Sequence, residues 1–217
     1  MRVLGIDPGT RVAGYGLIDL EVATGRLCGV AAGVWRFDPQ LSLAARLSSL
    51  AMELQRVIEL HSPQVVCVEQ AFVAQNVRSA LYLGHARGVV LAHCHRAGLD
   101  VFELAPTAVK KAVVAHGRAG KDTIAQALSS LLGIDFKNLP HDASDAMGIA
   151  YAHALREKMA RARGCSVQSL DEEVRRQRQE KKRAGGTRWA TYGSQHRSGR
   201  GKNSGFELLI KNESSKK

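Results

Sequence analysis

Apolar positions fall in short dense runs at the start of the chain and in long spaced stripes further on. Val3-Leu4-Gly5-Ile6 is closed by Asp7-Pro8-Gly9, the pattern of a central strand meeting a turn. Gly14-Tyr15-Gly16-Leu17-Ile18 follows at once, and a third run extends from Leu27 to Phe37. Connections this short predict three adjacent strands in a meander. From Leu41 to Leu60 the spacing changes. Leu43, Leu47, Leu50, Leu54, Val57 and Ile58 recur at i, i+3, i+4, which predicts an amphipathic helix that Ser62-Pro63 stops. Val65-Val66-Cys67-Val68 is apolar at every position, as in a strand covered on both faces, and it ends at Glu69. A helix over Val77–Arg96, a strand over Asp100–Leu104, a short helix opened by Pro106, and helices over Lys121–Leu132 and His141–Lys158 complete the pattern.

Hairpins first and crossovers later imply an α/β fold, a mixed five-stranded sheet with helices on both faces. Periodicity fades after a candidate helix near Ser169–Lys182, and Gly, Ser, Arg and Lys dominate from Ala184 to Ser204. We therefore read residues 1–158 as one α/β domain and 159–217 as a basic, low-complexity tail expected to be disordered. The apolar fragment Phe206–Ile210 has no partner in this scheme.

Charge sharpens that boundary. The chain of 217 residues carries a net charge of +11. Residues 159–217 hold 15 Lys and Arg against 6 Asp and Glu, leaving 16 against 14 for residues 1–158. The surplus belongs to the tail and points to a polyanionic partner. Cys28, Cys67, Cys94 and Cys165 are scattered, so neither a zinc site nor a disulfide framework is signalled. No run is long enough for a membrane span and no leader pattern opens the chain, so the expected location is cytoplasmic, without a membrane partner.

Four carboxylates occupy places where structure alone rarely puts them. Asp7 and Glu69 each end an apolar strand, while Asp142 and Asp145 share one face at the start of a helix of Ala, Met and Ile. Burying such groups unpaired costs several kcal/mol. Each has an ordinary reading beside the functional one: Asp-Pro-Gly is common turn chemistry, and Asp142 could cap its helix. Taken together, oxygen-only ligands on rigid elements suit Mg²⁺, with Mn²⁺ as a substitute. If the first and fourth strands are neighbours, the four acids could hold two metals about 3.5–4 Å apart for in-line phosphoryl chemistry. Such a site would activate a water and leave a 5′-phosphate.

Three blocks carry a resemblance. GIDPGTRVAGYGLI at residues 5–18, VEQAFVAQNVRSALYLGHARGV at 68–89 and HDASDAMGIA at 141–150 resemble the RuvC family of Holliday-junction resolvases, over residues 1–158. The resemblance implies a ribonuclease H-like fold and a homodimer. It also implies magnesium dependence and paired symmetric nicks in a four-way DNA junction during recombination and repair. By position, Asp7, Glu69, Asp142 and Asp145 match the family's metal-binding acids, and Phe72 its base-stacking aromatic. Lys110 and Lys121 match its basic residues near the cut phosphate. Lys111 could replace Lys110 by a slight change of register, and His141, one residue before Asp142, is expected to stand outside the metal ligands. The resemblance further implies the RuvA–RuvB branch-migration complex as a partner.

Two symmetric nicks call for a twofold dimer. The helix Val77–Arg96, with Ala80, Leu81, Leu83, Gly84 and Gly88, offers small and apolar faces for it, or for ordinary core packing. The tail extends past the resemblance, where Arg and Lys could neutralise phosphates and Trp189 and Tyr192 could stack on bases. A ribonuclease H-like nuclease acting on RNA hybrids is the nearest rival. Gly5–Thr10 also resembles the first phosphate loop of actin-like ATPases, but 158 residues cannot hold their duplicated domain. A junction-binding module without catalysis would leave the four acids unexplained.

Overall fold

The computed structural model describes residues 1–70, 77–114, 120–136, 139–174, 176, 179 and 180. Ten elements follow in the order β1 (Arg2–Asp7), β2 (Val12–Leu20), β3 (Leu27–Arg36), α1 (Leu43–His61), β4 (Val65–Glu69), α2 (Val77–Arg96), β5 (Asp100–Leu104), α3 (Pro106–Val114), α4 (Lys121–Leu132) and α5 (His141–Ala162). The strands form one sheet in the order β3-β2-β1-β4-β5. β1 and β2, and β2 and β3, pair antiparallel, whereas β4 is parallel to β1 and β5 parallel to β4. The meander-then-crossover reading therefore holds. Two ends moved: β2 starts at Val12, and α5 continues to Ala162 rather than Lys158.

The pleat sorts side chains to two cores. Val3, Ile18, Cys67 and Leu104 are buried on one face with Leu128 of α4 and Met147 of α5. Leu4, Ile6, Leu17, Val66 and Val68 are buried on the other with Leu50 and Leu54 of α1 and Val90 of α2. α1 shows the predicted stripe, with Leu50, Leu54 and Val57 fully inside. Its start is fixed by Ser42, whose hydroxyl accepts from the Ala45 amide at 3.2 Å.

α5 is unusual in composition because of where it lies. The sheet covers one side of it and α3 and α4 the other. Every residue from Ala146 to Ala154 is buried, so the helix is small or apolar all round. Small residues let it approach closely. A Cβ at Gly5 would lie 2.2 Å from the Ala146 carbonyl oxygen, at Gly14 1.9 Å from that of Asp142, and at Gly16 2.6 Å from Met147 Cα. Three glycines on two adjacent strands thus form the bed of α5.

Met1–Val167 is one compact unit. The second, Gln168–Lys217, is helical from Gln168 through Val174. The expectations about Trp189, Tyr192 and Phe206–Ile210 concern positions outside the described residues. Cys67 and Cys94 are buried free thiols, and burial pushes the Cys94 thiol up to about 12. No helix among the described residues is long and apolar enough to cross a membrane.

Candidate active site

Strand register brings the first two acids together. β1 and β4 pair through Ile6 and Val68, so Asp7 and Glu69 occupy the next position on neighbouring strands, whose backbones lie about 4.7–4.9 Å apart. Alternation sets their direction. Asp7 is on the face of Val3 and Gly5, and Glu69 on that of Val65 and Cys67, which is the face that α5 covers.

α5 supplies the other two. Gly14 is the register partner of Asp7, and the backbone of Asp142 rests directly on Gly14. The first turn of α5 therefore lies over the end of β1. Asp142 is in that turn, and Asp145 follows within one further turn of the same helical face. The N-cap is Pro140, which has no side chain to cap with, so Asp142 is not the capping residue. Carboxylates in a first turn are favoured by the positive end of the helix dipole. All four acids are partly exposed, each at the solvent-facing edge of a buried element.

Among the described residues, no group of three or more acidic, histidine or cysteine side chains is arranged to hold a metal ion. What the fold provides is four carboxylates from three elements meeting at one sheet end. Their donors are oxygen only, which fits a hard divalent cation and not zinc.

The remaining expected residues are distributed unevenly. Lys110 is on α3, half-buried, with Lys111 exposed beside it. Lys121 is the first residue of α4, and its side chain lies outside the described residues, as does Phe72 altogether. His141 is turned from the acids toward α4, its Nε2 3.9 Å from Asp122 Oδ1. It stands apart from the acids, in line with the expectation.

Two features escaped the sequence reading. Arg87, in the middle of α2, donates from Nη1 to the Glu69 carbonyl oxygen, and its Nη2 is 2.5 Å from Glu103 Oε2. It links the end of β4 to β5 and to the helix proposed for dimer packing. An arginine within the otherwise small and apolar stretch Leu83–Val90 was the available signal. The glycine bed was legible too, since Gly5, Gly14 and Gly16 all fall inside strands, where glycine commonly marks a close backbone approach.

A mixed sheet in the order 3-2-1-4-5, with acids at the ends of its first and fourth strands and on the covering helix, defines a ribonuclease H-like nuclease domain. The similarities narrow this further. Residues 3–153 match the family described as crossover junction endodeoxyribonuclease RuvC. The RuvC of Myxococcus xanthus is 47% identical over 154 residues, 70% of this chain and 80% of that protein. That of Heliobacterium modesticaldum is 43% identical over 157 residues, 71% of this chain and 96% of that protein. Among solved structures, Thermus thermophilus RuvC in complex with a Holliday junction substrate superposes with a TM-score of 0.68 at 30% identity, over 73% of this chain and 96% of that one. The chain belongs to the RuvC family of crossover junction endodeoxyribonucleases.

Proposed function

We propose that this protein is a divalent-metal-dependent, structure-selective endonuclease that resolves four-way DNA junctions by paired nicks, acting as a homodimer. The observation that carries this reading is the convergence of Asp7, Glu69, Asp142 and Asp145 at one end of the sheet. Family membership supports it. These four residues are the ones that would hold Mg²⁺, two ions in this reading. When bound, the metal would supply Lewis-acid stabilisation of the phosphoryl oxygens and an acidified water.

The chain's own residues divide the rest of the work. Asp7 and Glu69 are held by the sheet, so their spacing is set by strand register rather than by side-chain torsions. Asp142 and Asp145 are carried by α5, whose seat on Gly14 leaves it little freedom to move. Arg87 fixes the backbone of Glu69 from behind. Lys110 and Lys121 are placed to neutralise charge on the cut strand, and Phe72 to stack on a base near the junction centre, for about 1–3 kcal/mol. RuvA–RuvB is the motor this reading expects.

A second copy of the chain is the proposed partner of α2. Val77 and Leu81 are 73% and 60% exposed. One and two turns further on, Gly84 and Gly88 have open space where a Cβ would be. Residues 77, 81, 84 and 88 repeat at i, i+4, i+7, i+11, the spacing of a helix packing on its twofold mate. The basic tail, 159–217, is read as an appendage to a nuclease domain that strengthens DNA binding without directing it.

Mapping the cuts tests the proposal. A four-way junction labelled on each strand in turn should be nicked at symmetric positions on two opposing strands, with ends that DNA ligase reseals. Nicks on all four strands, or ends that ligase cannot join, would contradict it.

A further inference from the structure

Opposite the acids, on the other side of the β1–β2 turn, lies a cleft of about 800 Å³. Its described lining includes Thr10 and Arg11 from the turn, Arg46 from α1, and Arg78, Ser79 and Tyr82 from α2, with no carboxylate. Three elements far apart in sequence thus each contribute one arginine. Arg46 is half-buried and donates from Nη1 to the Thr10 carbonyl oxygen at 3.0 Å, while its Nε is buried without a hydrogen-bond partner. The Arg78 guanidinium is 5.8 Å from the centre of the Tyr82 ring. The Tyr82 phenol is held below its ordinary value, first by a hydrogen bond and charge from Arg78 and then by the charges of Arg46 and Arg11. All three cations therefore face one point.

Such a concentration of unopposed positive charge is costly to assemble unless an anion occupies it. Planar guanidinium groups match the oxygens of a phosphoryl group, and the first turn of α2 adds its amides and the positive end of its dipole. From this arrangement we infer that the Arg11–Arg46–Arg78 cleft binds a phosphodiester of the DNA strand flanking the cut. The inference rests on the junction-cutting reading above, since the cleft begins at Gly9 and Thr10, two and three residues past Asp7. A strand crossing the acids at the end of β1 would reach the cleft by following the turn. The contact reads no base, so its contribution is affinity, register and salt dependence.

The test measures binding of a labelled four-way junction by anisotropy, in calcium to suppress cutting, across a range of salt. Full-length protein is compared with Arg78→Gln and with the double variant Arg11→Gln/Arg78→Gln. Neither substitution touches the Arg46 contact to the turn, and a thermal melt checks that each variant is folded. Each lost phosphate contact should flatten the plot of log K against log salt by about 0.9. The single variant should bind several-fold more weakly at low salt, and the double variant more weakly again. Junction affinity and salt slope equal to those of the parent in both folded variants would overturn the inference. A melt raised by millimolar inorganic phosphate and lost in the double variant, with junction binding unchanged, would also overturn it by assigning the cleft to a small free anion. If the parent protein neither binds nor cuts the junction, the functional reading itself has failed. If the parent does both and only the variants behave as parent, the cleft alone is misassigned.

Discussion

Replacing Gly14 by alanine tests whether α5 is held where the acids need it. The added Cβ would lie 1.9 Å from the Asp142 carbonyl oxygen and 2.5 Å from its carbonyl carbon. Both are backbone atoms, so no side chain can swing aside. To restore an ordinary contact of 3.4 Å, strand and helix must separate by about 1.5 Å at this point. Overpacking of this kind costs about 1–3 kcal/mol, and rigid neighbours on both sides put Gly14 at the upper end. For a chain of this size, about 3 kcal/mol corresponds to a fall of roughly 6–12 °C in Tm. The loss of activity should exceed what stability explains, because Asp142 itself is displaced, and a shift of about 1 Å in a positioned group can cost on the order of 100-fold. The assay pairs a calorimetric melt with single-turnover junction cleavage at a temperature where the variant is folded. Gly84→Ala is the control, since a Cβ there meets nothing within 4 Å. A Gly14→Ala protein that melts like the parent and cleaves at the parental rate would refute the close-packing argument.

Three further outcomes are expected. His153 is fully buried on Phe102, and burial lowers its pKa from 6.5 to about 4, so the folded protein keeps it neutral while the unfolded chain takes up a proton. Stability should therefore be intact above pH 6.5 and decline as pH falls toward 4, by about 1 kcal/mol at pH 5.5 and about 3 kcal/mol by pH 4; denaturant melts of His153→Phe should show that component missing. Leu81→Glu should dissociate the proposed dimer with little change in melting temperature at low concentration, because Leu81 is exposed in the single chain; sedimentation that stays dimeric would remove α2 from the interface. Arg87→Ala should weaken the hold on Glu69, at about 1–3 kcal/mol for the unmade hydrogen bonds; the expected signature is a raised metal concentration for half-maximal cleavage with junction affinity unchanged, whereas equal loss of both would mark a general folding defect.

Strand and helix positions were legible because period-2 and period-3.6 patterns are strong here and punctuated by Pro8, Pro63, Gly98 and Pro106. The sheet order followed from connection length. Asp7 and Glu69 stood out because they end apolar runs, and Asp145 because its neighbours are small and buried. Other features needed the third dimension. No local pattern shows that Gly14 touches Asp142, 128 positions away in sequence, although the glycines hinted at a close approach. The pairing of Arg87 with Glu103 and the arginine cleft depend on packing between helices and strand ends, which spacing along the chain does not encode. The capping reading of Asp142 failed for a local reason, since the helix begins one residue earlier than a cap at 142 requires.

The most direct measurement of the central claim is cleavage of a labelled synthetic four-way junction in Mg²⁺, beside matched linear duplex and an RNA–DNA hybrid, by the parent protein and by Glu69→Gln. The account predicts nicks confined to the junction, abolished in Glu69→Gln while junction binding persists. Cleavage of the hybrid alone, or junction cleavage that survives in Glu69→Gln, would contradict it.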